Sequence, residues 1–188
     1  MEVEQKWKKY ETLLHKCNSE AINKFLDEQG QRIVECPYGM RDTDLGAHPC
    51  GLVDNALDVT ATMLKVASAL DLKLDKKSVI KVGMLHDIGR IGDLEHDYLS
   101  IEKEQWKINR GQIYGYNEDC RKMQLHHRTL YLLQHYNIVL TTEEYIAVCI
   151  ARGQYIDENK FYIGSEPTLA LLLQQAKQLV LNKAKNNK

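Results

Sequence analysis

The chain sets an imidazole beside a carboxylate, His86-Asp87, at the end of the apolar run Val79-Ile80-Lys81-Val82-Gly83-Met84-Leu85, with Ile88-Gly89-Arg90-Ile91-Gly92-Asp93 following. Burying two such polar groups is costly unless both find partners. Together they can bind a metal ion, the imidazole through a nitrogen and the carboxylate through an oxygen able to bridge two ions. In the alternative arrangement His86 caps helix carbonyls while Asp87 pairs with a lysine or arginine, and the dipeptide alone favours that arrangement. His126-His127-Arg128, opening a later helical stretch, could hold a phosphate through the helix N-terminus and positive side chains, or could simply face solvent. Tyr114 and Tyr116 could stack on a nucleobase, although alternating tyrosines more often cover a sheet face. His15, His48 and His135 have no partner pattern. Cys17, Cys36, Cys50, Cys120 and Cys149 are widely spaced without a C-x-x-C pair, which predicts reduced, mostly buried thiols. Neither a Gly-rich phosphate loop nor a serine-hydrolase signature occurs.

Helices must position these groups. Only three prolines and eleven glycines occur in 188 residues, and apolar residues recur three and four apart, so the pattern predicts a mostly helical fold. Trp7, Tyr10, Leu13 and Leu14 form one apolar face; Ile22, Phe25 and Leu26 form a second, in a helix that Gly30 is expected to stop. Proline and glycine mark a loop from Cys36 to Gly51. From Leu52 to Leu70, Ala56, Val59, Met63, Val66 and Leu70 share a helical stripe. A helix starting near Lys77-Ser78 carries the apolar run into His86-Asp87 before Gly89 and Gly92. Trp106-Lys107-Ile108-Asn109 and Gln112-Ile113-Tyr114-Gly115-Tyr116 alternate around Arg110-Gly111, which predicts a small β-hairpin. Three more helices are expected, at about 125–136, 141–152 with Thr141 or Thr142 as cap, and 168–183, with a Lys-Asn tail that frays.

Composition excludes several function classes. With 44% hydrophobic and 27% charged residues, the chain suits a globular domain with a sizeable core, not a disordered tail or a fibre. Twenty-five Lys+Arg against 26 Asp+Glu give a formal charge of -1, so nothing in the balance points to duplex nucleic acid or a membrane surface. The start, Met1-Glu2-Val3-Glu4-Gln5-Lys6, lacks the apolar core of a signal peptide, and no stretch reaches the roughly 18 apolar residues of a membrane span. A cytoplasmic protein is the expectation.

The apolar run, the His86-Asp87 pair and the Ile-Gly-Arg-Ile-Gly that follows resemble the signature of the HD superfamily of metal-dependent phosphohydrolases. His48-Pro49-Cys50-Gly51-Leu52-Val53-Asp54-Asn55-Ala56-Leu57-Asp58-Val59 resembles the family's helix that carries its first histidine. The hairpin, the His126-His127 helix, the Leu-Thr-x-Glu-Glu segment and the terminal apolar helix are similar to those of small bacterial and phage HD proteins. The likeness covers about 42–181. It implies an all-α domain, a helical bundle with a small β-hairpin insertion, spanning 1–188 with N-terminal helices and loop over 1–45, the HD core over 46–183 and a frayed tail over 184–188. It also implies catalytic His86 and Asp87, a divalent metal (manganese, iron, zinc or magnesium) held by them with His126 or His127 if that site is retained, and nucleotide phosphoester or phosphoanhydride hydrolysis by a metal-activated water. Arg90, one turn on, would hold a phosphate.

Carried over residue by residue, the pattern breaks at its metal ligands. Asn55 stands where the first metal histidine would be, Lys177 where the last metal aspartate would be, and Ala151 where a second-site histidine would be. An amide oxygen is a poor transition-metal ligand, and an ammonium repels a cation. Asp54, Asp58, Asp93 and His96 are substitute ligands to consider, but Asp54 points about 100 degrees away from Asn55 around the helix. The more economical expectation is that Lys177 takes the metal's place and pairs with Asp87. The cleft would then bind a nucleotide or another phosphorylated small molecule through Arg90, Lys177, Asn55 and Arg128, with hydrolysis impaired or lost. The rivals are a working phosphohydrolase with unconventional ligands and a protein-interaction module that keeps only the scaffold.

Overall fold

The computed structural model describes residues 2–153 and 156–186. It is mostly α-helical, with one small antiparallel strand pair. In chain order the elements are α1 (Val3–His15), α2 (Glu20–Glu35), α3 (Gly51–Ala69), α4 (Lys76–Leu85), a 3₁₀ turn (Ile88–Ile91), β1 (Leu99–Ile101) and α5 (Gln105–Ile108). They continue with β2 (Tyr114–Tyr116), α6 (Leu125–His135), α7 (Thr142–Cys149), a second 3₁₀ turn (Asp157–Tyr162) and α8 (Thr168–Asn186).

Local chemistry sets the helix starts. Ser19 caps α2 by accepting the Ile22 N–H, and Asp75 caps α4 by accepting the Ser78 N–H. Thr141 and Glu144 close a reciprocal capping box on α7, so Thr141, not Thr142, is the cap. The carboxylate that completes that box also takes Lys81 of α4 at 2.9 Å, which ties α7 to α4 through an ion pair whose carboxylate is buried and whose lysine is partly so.

Helix α3 is the axis of the molecule. Leu52, Val53, Ala56 and Leu57 face a core built with α1, α2, α4 and α6; Val59 and Met63 face a second core built with α4, α7 and α8. A helix apolar on two sides is what a central position demands. The expected stripe weakens at its end, because Leu70 is exposed.

Three expectations need correction. Gly30 does not stop α2, which continues to Glu35; there the absent side chain admits the Trp7 ring, whose Cζ2 would lie 3.0 Å from any Cβ. The expected first hairpin strand around Trp106 is instead the short helix α5. The strand that pairs with Tyr114–Tyr116 lies upstream, with Leu99 opposite Tyr116 and Ile101 opposite Tyr114. The Glu102 carboxylate accepts the N–H groups of Lys103 and Glu104 immediately after β1, turning the chain away from the strand. Finally, α8 reaches Asn186 instead of fraying after Lys183; 187 and 188 lie outside the described residues. No helix among the described residues is long and apolar enough to cross a membrane.

Candidate functional site

The His86-Asp87 pair lies where α4 gives way to the 3₁₀ turn, and both side chains are buried, 1% and 3% exposed. His86 continues the helical hydrogen-bonding through its backbone, while its Nδ1–H donates to the Gly83 carbonyl at 3.0 Å. A carbonyl can only accept, so Nδ1 carries the proton. Burial holds the imidazole below its ordinary pKa, with Lys177 adding to that and Asp87 opposing it, which keeps the ring neutral. Its Nε2 stands 3.4 Å from Asp87 Oδ2 and has no hydrogen-bond partner among the described residues.

Asp87 is surrounded by donors. Lys177 Nζ, from the middle of α8, donates to Oδ1 at 3.2 Å and to Oδ2 at 3.1 Å, the pairing expected from the sequence. The Tyr38 hydroxyl donates to Oδ2 at 2.8 Å, and Arg90 Nε lies 3.8 Å from the same oxygen. Burial on its own pushes a carboxyl upward, but here the Lys177 charge, with Arg90 behind it, holds Asp87 well below the usual carboxylate range. For Lys177 burial lowers the ammonium's pKa against the pull of Asp87. Tyr38 is raised by burial and by the carboxylate beside it, so it stays a hydroxyl donor.

The turn that presents these groups is locked from behind. Gly89 packs so tightly on α6 that a Cβ would lie 2.7 Å from both Leu125 O and Thr129 N. The Gly89 N–H donates to Thr129 Oγ1 at 3.0 Å, and that hydroxyl reaches the His86 carbonyl at 3.3 Å. Arg32 of α2 donates to the carbonyls of Ile91 and Asp93 on the far side. Arg90 is directed into the cleft, with Nη1 on the Tyr38 carbonyl at 2.8 Å and its guanidinium 3.9 Å above the Tyr38 ring.

Asn55 from α3, Asp87 and Arg90 from the turn, and Lys177 from α8 therefore meet in one cavity of about 350 Å³, closed by Tyr38, Gln174 and the 151–153 segment. That is near the lower end of the roughly 300–1,000 Å³ typical of small-molecule sites. Two buried nitrogens here, Asn55 Nδ2 and Arg90 Nε, have no hydrogen-bond partner among the described residues. Lys177, Arg90 and the exposed Arg152 set three positive charges against the single carboxylate of Asp87.

A divalent ion does not suit this donor set. Both Asp87 oxygens are engaged by an ammonium, Asn55 offers at best a neutral oxygen, and among the described residues no group of three His, Cys, Asp or Glu side chains could hold a metal. Two of the four substitute ligands are occupied elsewhere. Asp54 pairs with Lys6 at 2.7 Å, and Asp93 accepts the backbone N–H groups of Glu95, His96 and Arg121.

Other sequence candidates lie apart from the cleft. Arg128, expected to bind substrate, turns inward: it is 2% exposed, donates to the carbonyls of Gly89, Arg121 and Met123, and packs 4.3 Å from the Tyr98 ring. A buried guanidinium without a carboxylate takes carbonyls, and that use removes it from the substrate list. The His126 and His127 rings lie 4.1 Å apart, tilted against one another; His126 is buried, its pKa lowered by burial and then by its neighbour, while His127 is exposed. Tyr116, in β2, packs on Tyr98 at 5.2 Å. Sequence reasoning missed Tyr38, Arg152 and Gln174. Tyr38 carried a weak signal, an aromatic between proline and glycine in a loop; the other two carried none.

No family model, curated protein or solved structure matches this chain.

Proposed function

We propose that this chain binds a nucleotide or another phosphorylated small molecule in the Asp87–Lys177 cleft, on a scaffold of the HD kind in which metal-dependent hydrolysis is lost. The observation that carries this reading is the pair of buried donors without acceptors, Asn55 Nδ2 and Arg90 Nε, in a cavity where three cationic side chains outnumber one carboxylate. Buried donors left unpaired cost free energy, and an anion with several acceptor oxygens removes that cost while meeting the surplus charge. Apolar walls from Leu45, Leu125 and Leu181 suit the organic part of such a ligand. The family resemblance of the His86-Asp87 segment points to the same ligand class, and the Lys177–Asp87 pair opposes catalysis through a metal.

Thermal denaturation with a panel of nucleotides and sugar phosphates tests this. A ligand at 100 times its Kd stabilises by about 2.7 kcal/mol, or about 5–11 °C in Tm for a chain of this size. The expected result is such a shift with the ligand recovered intact. Turnover abolished by Asp87→Ala would replace this reading with a working hydrolase. Neither shift nor turnover would leave the scaffold as a protein-interaction module.

A further inference from the structure

We infer that the cleft takes a single phosphomonoester dianion without an accompanying divalent cation, Lys177 serving as the fixed cation on Asp87 while Arg90, Asn55 and Arg152 meet the phosphate. This rests on the phosphate-binding reading above and narrows it to one ligand class and one ionic requirement.

The first support is the saturation of Asp87. A metal ion brought in by a polyphosphate needs carboxylate oxygens, and both are taken by Lys177 at 3.1 and 3.2 Å, with the Tyr38 hydroxyl also on Oδ2 at 2.8 Å. The ammonium has little room to withdraw, because it stands on a helix whose flanking residues Leu173, Ala176 and Val180 are all core. Charge gives the second support. Lys177 cancels Asp87, so Arg90 and Arg152 leave a surplus of two positive charges among the residues lining the cleft. A phosphomonoester carries about -1.5 to -2 at neutral pH, which that surplus matches. A triphosphate exceeds it and would need the cation for which no ligand is free. The third support is donor geometry. Arg90 spends Nη1 on the Tyr38 carbonyl, which fixes its plane and leaves Nε, 3.8 Å from Asp87 Oδ2, without a hydrogen bond, as Asn55 Nδ2 is in a side chain 5% exposed.

Calorimetric titration with ribose 5-phosphate and with inorganic tripolyphosphate, each in EDTA and in magnesium, separates the possibilities without assuming a base. The expected result is ribose 5-phosphate binding that changes by less than about twofold between the two buffers and exceeds tripolyphosphate binding in EDTA by about tenfold or more. Arg152→Ala, at an exposed position, should leave the unliganded Tm unchanged and weaken ribose 5-phosphate binding about tenfold. Binding that requires magnesium, or a preference for magnesium tripolyphosphate, would overturn the inference and leave the phosphate reading standing; so would an Arg152→Ala variant with unaltered affinity. Failure of ribose 5-phosphate, inorganic phosphate and a nucleotide panel alike would overturn both.

Discussion

Removing the Lys177 ammonium while keeping its stem, as in Lys177→Met, strands a carboxylate that is 3% exposed. At 3.1 Å the two charges attract by about 5 kcal/mol in a medium of effective dielectric about 20, and the cost of desolvating Lys177 cancels part of that. Breaking a buried pair by deleting one partner typically costs about 3–5 kcal/mol. Asp87 keeps the Tyr38 hydroxyl at 2.8 Å and Arg90 Nε at 3.8 Å, and the Lys177 side chain is 17% exposed, so the cost falls to the bottom of that range or just below it, about 2–3 kcal/mol at pH 7. For a chain of 188 residues this is a fall in Tm of about 4–12 °C.

The pH dependence is more diagnostic than the size. Asp87 in the native wild type titrates well below its unfolded value, so its contribution is present above the ordinary carboxylate range and is lost as pH falls through the native pKa. Without Lys177, burial dominates and raises the carboxyl, so the variant regains stability as pH falls and the carboxyl takes up a proton. The gap between wild type and variant should therefore be widest near pH 7 and narrow steadily below about pH 5. Denaturant unfolding of both proteins at pH 7, 5 and 4 reads it directly. Adding Asp87→Asn to Lys177→Met should recover most of the loss at pH 7, because the stranded charge is gone. A gap that is constant with pH, or a Lys177→Met protein as stable as wild type at pH 7, would refute the ion-pair argument.

Arg128→Met should cost about 2–4 kcal/mol, seen as a lower urea midpoint, because three carbonyls lose a buried guanidinium; ligand affinity of the folded fraction should stay unchanged, and a selective loss of affinity would return Arg128 to the cleft. Asn55→His with Lys177→Asp supplies the imidazole and carboxylate that the family resemblance places at those two positions. After exposure to manganese, iron and zinc and removal of free ion, the folded double variant should retain about one metal ion by elemental analysis, and a folded but metal-free double variant would break the alignment.

The cleft was legible where residue type and helical position together determine what a side chain can do. His86-Asp87 at the end of an apolar run, Asn55 on the α3 helix and Lys177 on a helix without aspartate were sufficient to predict the Lys177–Asp87 pair, although 90 residues separate its members. Arg128 was misplaced because an arginine beside two histidines has the same local pattern whether it faces solvent or spans a gap between loops. Only the carbonyls of Gly89, Arg121 and Met123, gathered by tertiary folding, decide between those outcomes. The Trp106 segment failed for a related reason: its alternation is real, but Glu102 turns the chain just before it, and the strand partner Leu99–Ile101 is too short to carry a periodic signal. Gly30 looked like a stop because the Trp7 ring that makes glycine necessary there belongs to another helix.

Asp87 draws its lysine, Lys177, from late in the chain, and this bears on synthesis. As the polypeptide emerges in order, the first four helices and the His86-Asp87 turn precede the α8 helix, which supplies both the counter-charge for Asp87 and one wall of the second core. Until Lys177 arrives, closing the turn would bury the Asp87 carboxylate with only the Tyr38 hydroxyl and the Arg90 guanidinium beside it, so its full burial becomes more favourable once α8 docks. The ion pair thus ties burial of the motif to docking of the last helix, and a chain interrupted before Lys177 lacks both the counter-charge for Asp87 and one wall of the second core.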